Sequence, residues 1–275
     1  MLLRLSLIFT YIFNCIRQGV GPWKYFQLNA PYFNESRDIF SKLEMDNRIP
    51  NQWLLEQFMD FGARDPSQYP VFVKPEWGQN SSGVTRVDNL EQLNALRQLR
   101  TESDPFYLIQ QAAPGLKEFE LFMIPDQDDL QQYSILSVTE TGNRSEDALP
   151  VNGIYNKDSY YQDRTAQLNQ VQLDQIWGHL KQMGNYRIAR YGVRANSLED
   201  LISGQFHVVE VNLYVPMPLV LLVKEHSFWK KWLFIQKAMK QLVLVTQSIP
   251  ETQQTKQVFF KKLPFVKRLK KLNKI

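Results

Sequence analysis

The sequence predicts an α+β fold in which helices pack around antiparallel hairpins. Apolar runs of strand length, such as 106–111, 119–124 and 134–139, follow one another without an intervening helix, which argues against a strict βαβ repeat. Apolar residues at helical spacing recur in 173–183 and in 227–248. With 275 residues, of which 44% are hydrophobic, the chain is long enough to bury a substantial core.

Composition excludes several classes of protein. The single cysteine, Cys15, rules out an intramolecular disulfide framework and is typical of a reducing compartment, so we expect a cytoplasmic protein. Three histidines and one cysteine argue against a zinc site. The net charge of the chain is +4. The segment 256–275 contains eight lysine and arginine residues and no acid, so the rest of the chain has a net charge of −4. No general nucleic-acid-binding surface is therefore expected.

The segment 1–20 predicts an amphipathic helix. Ser6, Thr10 and Asn14 share one face at helical spacing, and large apolar residues fill most of the rest. The apolar stretch 5–16 is too short to span a bilayer, which needs about 20 residues. The sequence favours a helix docked on the protein's own core. An interfacial membrane helix and a signal segment remain as alternatives.

The segment 249–275 is a basic tail. Basic and large apolar residues alternate in 256–275, and Pro264 interrupts any long helix. A solvated tail and a segment lying on an anionic membrane are both consistent with this pattern. Contact with RNA is less favoured, because no folded RNA-binding module accompanies the tail. Membrane contact is therefore expected, if at all, through residues 1–18 and 256–275.

The remaining elements follow from periodicity and turn residues. Helices are predicted within 35–45, at 52–62, at 90–99, at 173–183 and at 227–248, and strands at 70–74, 83–87, 106–111, 119–124, 134–139, 188–194 and 206–211. Asp88 is expected to cap the helix at 90–99, with Glu91 at the capping-box position. The polar stretch 141–170 is predicted to be a long loop.

The segment YPVFVKPEWGQNSSGV has features of a phosphate site. Lys74 lies at the end of the predicted strand, and a loop with Ser81, Ser82 and Gly83 follows. A lysine neutralises phosphate, and small residues let backbone N–H groups approach phosphate oxygens. This is not a Walker A motif. Taken alone, the segment fits a plain hairpin turn better.

Two further segments carry candidate polar groups. The extended run 106–111 could border a flat ring, and Glu118 could bind ribose hydroxyls. The alternative is an ordinary strand–turn–strand unit with Glu120 facing solvent. In HVVEVNLY, Glu210 and Asn212 share one strand face, and such oxygen ligands suit Mg²⁺. The alternative there is an edge strand with one polar face.

In this order, VKP…SSGV, IQQAAPG..EF and RYGVR…G.F.VVEVN resemble the ATP-grasp superfamily. The similarity is to the branch of D-alanine–D-alanine ligases and related carboxylate–amine ligases, and it covers roughly 36–245. It implies two α+β subdomains that hold ATP between them in 66–248. The N-terminal substrate domain would be reduced or absent, with 21–65 as its remainder.

The resemblance also implies roles for single residues. ATP phosphates would be bound by Lys74, Ser81, Ser82, Gly83 and Lys157, adenine would lie against Gln110, Gln111 and Ala112, ribose would contact Glu118, and Mg²⁺ would be held by Glu210 and Asn212. Arg190 would stabilise charge on the transferring phosphoryl group. The implied chemistry is phosphorylation of a small carboxylate by ATP, followed by attack of an amine on the acyl phosphate.

Two positions depart from the family pattern. The arginine strand of the family usually reads Arg-x-Asp, but here Gly192 stands in place of the metal-binding aspartate. Arg37 lies near the position where the family often has a phosphate-binding lysine. Gly192 and the shortened N-terminal region keep a second interpretation open, in which the chain is a degenerate ATP-grasp protein that binds nucleotide without turnover.

Overall fold

The computed structural model describes residues 2–78, 83–101, 104–147, 149–153 and 156–258. The helices in these parts are α1 Leu2–Arg17, α2 Lys42–Asp46, α3 Leu90–Gln98, α4 Gln170–Leu180, α5 Leu198–Ser203 and α6 Phe228–Gln247. The strands are β1 Gln57–Met59, β2 Val71–Pro75, β3 Thr85–Val87, β4 Tyr107–Gln111, β5 Lys117–Pro125, β6 Tyr133–Asn143, β7 Ser159–Asp163, β8 Ala189–Ala195 and β9 His207–Asn212. The α+β class predicted from the sequence is confirmed.

A four-stranded antiparallel sheet has the order β1-β4-β2-β3. Its small core is built on Val71, Val73 and Ile109, against which Leu93 of α3 packs. The cap of α3 is Asn89, whose side chain accepts from the Gln92 backbone N–H, so the prediction of Asp88 as the cap was wrong by one residue.

The helix predicted at 52–62 was wrong. Gln57–Met59 is an edge strand, because the backbone here makes its hydrogen bonds with β4 and not within a helix. The apolar residues that suggested a helix have separate surroundings. Trp53 is buried against Phe206 in the larger core, whereas Phe61 is 71% exposed.

A five-stranded antiparallel sheet has the order β7-β6-β5-β8-β9. On one face, side chains such as Phe119 and Leu121 pack against α4 and α5 in the main core. On the other face, Phe122 and Ile124 pack against α1 and α6. Glu118 and Glu120 share this second face by strand alternation. The face therefore changes along β5 from apolar to acidic, and the acidic end is left for a polar site.

The long loop predicted for 141–170 was wrong in part. β6 continues to Asn143, and β7 pairs with it at the sheet edge. By contrast, the helix predicted at 227–248 is confirmed. α6 begins after Ser227, whose side chain accepts from the Lys230 backbone N–H, and ends at Gln247, shortly before Pro250.

The N-terminal helix docks on the body of the protein, as expected for 1–20. The Tyr11 hydroxyl lies 3.0 Å from Thr246 Oγ1 on α6, and Tyr11 and Cys15 are buried. Within the described ranges, no helix has both the length and the hydropathy to cross a bilayer.

Candidate functional site

A polar cleft lies between the two sheets. Strands β2 and β4 contribute one wall, and β5, β8 and β9 contribute the other. Its charged and amide-bearing lining residues are Lys42, Lys74, Gln110, Gln111, Glu118, Glu120, Asn152, Arg190, Arg194 and Glu210. The enclosed volume is about 120 Å³, which is below the roughly 300–1,000 Å³ of a typical ligand pocket.

Lys74 connects the two walls. It is 5% exposed, and its ammonium group donates to Gln110 Oε1 at 2.9 Å and to the Val209 carbonyl at 3.3 Å. Gln110 also donates to the Val209 carbonyl, at 3.1 Å. Burial and the nearby Lys42 outweigh the attraction of Asp46 and Glu210, and they lower the pKa of Lys74 to about 7. The cleft therefore holds a lysine whose charge a nucleotide phosphate would stabilise.

Lys42 is a second cation in the cleft that the sequence did not single out. It is the first residue of α2, which Ser41 caps, and its ammonium group donates to the Pro75 carbonyl at 3.2 Å. Burial lowers the pKa of Lys42 and raises that of Asp46 to about 6. Arg37, expected near a phosphate-binding position, instead pairs with Glu76. Lys42 lines the cleft, whereas Arg37 is not among its lining residues.

Carboxylates and arginines alternate across the acidic end of the sheet. Arg190 Nε lies 2.9 Å from Glu120 Oε2, and Arg190 Nη2 donates to Glu210 Oε1 at 3.2 Å. Burial and the neighbouring carboxylates raise the pKa of Glu120 to about 8, against the attraction of Arg190. Burial alone would also raise the pKa of Glu210, but Arg190, Lys42 and Lys74 outweigh it and lower that pKa.

Gly192 lies between Glu120 and Glu210. It pairs with Glu120 on β5 and with Glu210 on β9. A Cβ atom at this position would lie 3.3 Å from Glu210 Cγ and 3.5 Å from Glu120 Oε1. The carboxylate that the family pattern places here would therefore stand between two others.

Glu120, like Lys42, is a functional candidate that the sequence prediction missed. The alternative that turned it to solvent is wrong, because the residue is only 8% exposed. The available signal was the spacing Glu118-x-Glu120, which puts both acids on one strand face. Across the described ranges, no group of three or more His, Cys, Asp or Glu side chains is arranged to hold a metal ion. The carboxylates that line the cleft are Glu118, Glu120 and Glu210.

The predicted site residues divide by location. Those that line the cleft are Lys74, Gln110, Gln111, Glu118, Arg190 and Glu210. Those that do not are Gly83, next to the lining residue Val84; Ala112, next to the lining residue Ala113; and Lys157, which is exposed. Ser81 and Ser82 fall outside the described residues, as does the tail from 259 onward.

Asn212 lines a second, apolar cavity on the far side of Arg190. This cavity has a volume of about 540 Å³, and α1 and the segment 214–218 form much of its wall. Arg190 lines both the cleft and the cavity. A molecule in the apolar cavity would therefore have one end beside the arginine of the polar cleft.

Part of the chain is similar in sequence to known proteins, although no model of a known protein family matches it. Over 101 residues, it is 34% identical to a D-alanine–D-alanine ligase of Mycolicibacterium gilvum, covering 36% of this chain and 26% of that one. Over 62 residues, it is 42% identical to the vancomycin B-type resistance protein VanB of Enterococcus faecalis, covering 22% of this chain and 18% of that one.

Solved structures extend the likeness to most of the chain. The VanG D-Ala:D-Ser ligase of Enterococcus faecalis superposes with a TM-score of 0.50 at 16% identity, over 75% of this chain and 61% of that one. A D-alanine–D-alanine ligase of Bacillus anthracis gives 0.50 at 16% identity, over 76% and 67%. The chain thus spans about three fifths of VanG and two thirds of the B. anthracis enzyme. At this identity the likeness establishes the fold.

Proposed function

Because the chain has the α+β ATP-grasp fold of D-alanine–D-alanine ligases, we propose that it is an ATP- and Mg²⁺-dependent carboxylate–amine ligase. One observation supports this most directly. Buried Lys74 on one sheet faces the carboxylates Glu120 and Glu210 on the other, and Arg190 lies between those two carboxylates. Such a cleft offers cations for phosphates and anions for a metal ion within one space.

The proposed reaction has two steps. A carboxylate oxygen of the first substrate attacks the γ-phosphorus of ATP, and ADP leaves. The amine nitrogen of the second substrate then attacks the acyl carbon of the acyl phosphate, inorganic phosphate leaves and the nitrogen loses a proton. The protein contributes positioning and charge stabilisation, and an amide bond forms.

Each side of the cleft has a role in this proposal. Lys74 and Lys42 bind the phosphates, and the strand with Gln110 and Gln111 borders the adenine. Glu118 binds the ribose hydroxyls. In the structure, Glu118 Oε2 lies 3.4 Å from Arg194 Nη2. Arg190 stabilises charge on the transferring phosphoryl group. We retain Ser81, Ser82, Gly83, Ala112 and Lys157 as proposed nucleotide contacts from the family resemblance alone.

The residues present fit a hard divalent cation. Glu210 and Glu120 supply carboxylate oxygens, the ligand type that Mg²⁺ prefers. Once a bound cation displaces its proton, Glu120 would supply the carboxylate that is missing at Gly192. Asn212 shares the strand face of Glu210 and remains a proposed ligand. A bound Mg²⁺ would neutralise the charge that builds on the phosphates.

The substrates are proposed to be a small carboxylate and a small amine. The cavity next to Arg190 is walled mostly by apolar side chains, and no acidic residue lines it among those that the structure describes. This lining favours a carboxylate substrate with an apolar body. The nucleotide requirement and the unpaired Cys15 favour a cytoplasmic location.

A degenerate, non-catalytic nucleotide-binding protein is the second candidate. Gly192 favours this candidate, because it lowers the number of anionic ligands available to a metal ion. The small volume of the cleft also favours it, because it limits the space for a metal–nucleotide complex. It predicts ATP binding without release of ADP.

Release of ADP separates the two candidates. Wild-type protein is incubated with ATP, Mg²⁺ and panels of carboxylates and amines, beside Lys74→Ala and Glu210→Gln. Loss of an interaction made only in the transition state is expected to lower turnover at least about a hundredfold. Lys181→Ala is the control, because Lys181 is exposed and lies outside the cleft lining. Substrate-dependent ADP release that survives both cleft substitutions unchanged would refute ligase chemistry at this site.

A further inference from the structure

Helix α1 turns an apolar face to solvent. Its buried side is built around Tyr11 and Cys15, with Leu3 and Leu7 partly buried beside them. The opposite side carries large apolar residues at spacings of three and four, so they form one stripe. Their exposed fractions are Leu2 78%, Leu5 39%, Phe9 65%, Phe13 58% and Ile16 72%.

The start of α6 exposes a second apolar group. Its first turns carry Phe228, Trp229, Trp232 and Leu233, which are 71%, 67%, 42% and 60% exposed. The three rings contact each other edge to face, with centroids 5.5 and 6.0 Å apart. Further along, α6 is buried on one side against α1 and the sheet.

The aromatic group of α6 lies at the end of the helix pair where the stripe on α1 begins. α1 and α6 run side by side in the same direction, because Thr10 contacts Gln236 and Gln18 contacts Gln247. The first turn of α1 and the segment leading into α6 also line one surface depression.

The size of this surface needs an explanation. Five of its side chains are aromatic, and aromatic side chains bury about 150–250 Å² each, so the rings alone present roughly 600 Å². The largest apolar patch on a typical soluble monomer is about 300–600 Å², and larger ones mark interaction sites. Scattered exposed residues would not need such an account.

The charge on both helices has one sign. α1 carries Arg4 and Arg17, and α6 carries four lysines at 230, 231, 237 and 240; neither helix contains an acidic residue. Nearby acids are Glu225, just before α6, and Asp163, which lies 3.1 Å from Lys230 Nζ. A second copy placed on this surface would bring like charges together. An anionic partner with an apolar interior would instead satisfy both features.

We propose that α1 and the first turns of α6 form a surface that lies in the headgroup region of an anionic lipid bilayer. The stripe and the aromatic rings enter the acyl boundary, and the basic side chains reach the phosphates. Neither helix spans the bilayer. The protein would thus be held at the membrane by its folded body, independently of the basic tail and of the proposed ligase activity.

Vesicle co-sedimentation of the full chain tests this surface. The probes are phosphatidylcholine vesicles and vesicles of phosphatidylcholine with phosphatidylglycerol. The variant Phe9→Ser/Trp229→Ser removes two rings that are 65% and 67% exposed. Its matched control is Phe61→Ser/Phe106→Ser, because those rings are 71% and 61% exposed elsewhere and also face solvent.

Wild type and the control are expected to bind the anionic vesicles, with a blue shift of tryptophan fluorescence. The surface variant is expected to bind roughly tenfold or more weakly. Lys237→Gln/Lys240→Gln is expected to weaken binding to anionic vesicles only, about fivefold per charge. Equal binding by the surface variant and wild type would overturn the proposal. The proposal would also be overturned if the wild type bound neither kind of vesicle but sedimented as a dimer, and the surface variant sedimented as a monomer.

Discussion

Replacing Gly192 with aspartate is expected to destabilise the protein in the absence of a cation. The new carboxylate would stand between Glu210 and Glu120, because a Cβ atom there lies 3.3 Å from Glu210 Cγ and 3.5 Å from Glu120 Oε1. At pH 7, Glu120 is mostly protonated, since burial raises its pKa to about 8. The added charge therefore acts mainly on Glu210.

The magnitude follows from Coulomb's law. Two charges about 4 Å apart in an effective dielectric constant of about 20 repel by about 4 kcal/mol. Attraction to Arg190 offsets part of this, so we expect a loss of about 2–3 kcal/mol in the free energy of unfolding. For a chain of this size, that corresponds to a fall in Tm of roughly 5–10 °C. Raising the pH to 9 ionises Glu120 and should enlarge the fall.

Thermal unfolding with and without Mg²⁺ measures both parts of this expectation. Gly192→Asn is the matched control, because asparagine has nearly the same shape and no charge. Mg²⁺ should raise the Tm of the aspartate variant more than that of wild type or the asparagine variant. Equal Tm values for the two variants at pH 7, with equal responses to Mg²⁺, would show that the carboxylates do not interact as described.

Three further perturbations test other parts of the structure. Burial lowers the pKa of Lys74 to about 7, and a bound phosphate should restore its charge, so ATP binding should take up close to one proton at pH 8 and almost none at pH 6. Calorimetry in buffers of different ionisation enthalpy measures this proton uptake. Equal proton uptake by Lys74→Met would refute the prediction. Trp53→Ala should lower the free energy of unfolding by about 3–5 kcal/mol in urea denaturation, because Trp53 is 1% exposed and donates to the Gly204 carbonyl at 2.8 Å; a loss below 1 kcal/mol would contradict its place in the core. Ser227→Ala should cost about 1 kcal/mol by removing the cap that accepts from the Lys230 backbone N–H at 3.2 Å, whereas Ser227→Asp should cost little; similar losses for both would argue against capping.

Elements whose limits depend on local chemistry could be predicted from the sequence. The serine cap and the nearby proline define the long helix α6, and alternation defines β8 and β9. The strand β1 could not be predicted, because its three residues become a strand only by pairing with β4. β7 is an edge strand with few apolar residues, so its pattern does not differ from that of a loop.

The candidate site was predictable in part for the same reason. Lys74, Arg190 and Glu210 lie at the ends or centres of strands with clear patterns, and they meet in the cleft. Lys42 could not be placed there, because its position depends on how α2 packs against the sheets. Nor does the pattern of α1 indicate which of its two apolar sides faces solvent, since Leu3, Leu7 and Tyr11 are as apolar as the stripe that is exposed.

The hydrogen bonds at the Val209 carbonyl have a kinetic consequence. This one oxygen accepts from both Lys74 and Gln110, and so ties the two walls of the cleft together. The same ammonium group is the proposed phosphate ligand, so a nucleotide must compete with this tie before it can bind. The observed association rate should therefore level off at high ATP concentration, at the rate with which the walls separate. Gln110→Ala would raise that plateau by removing one of the two bonds.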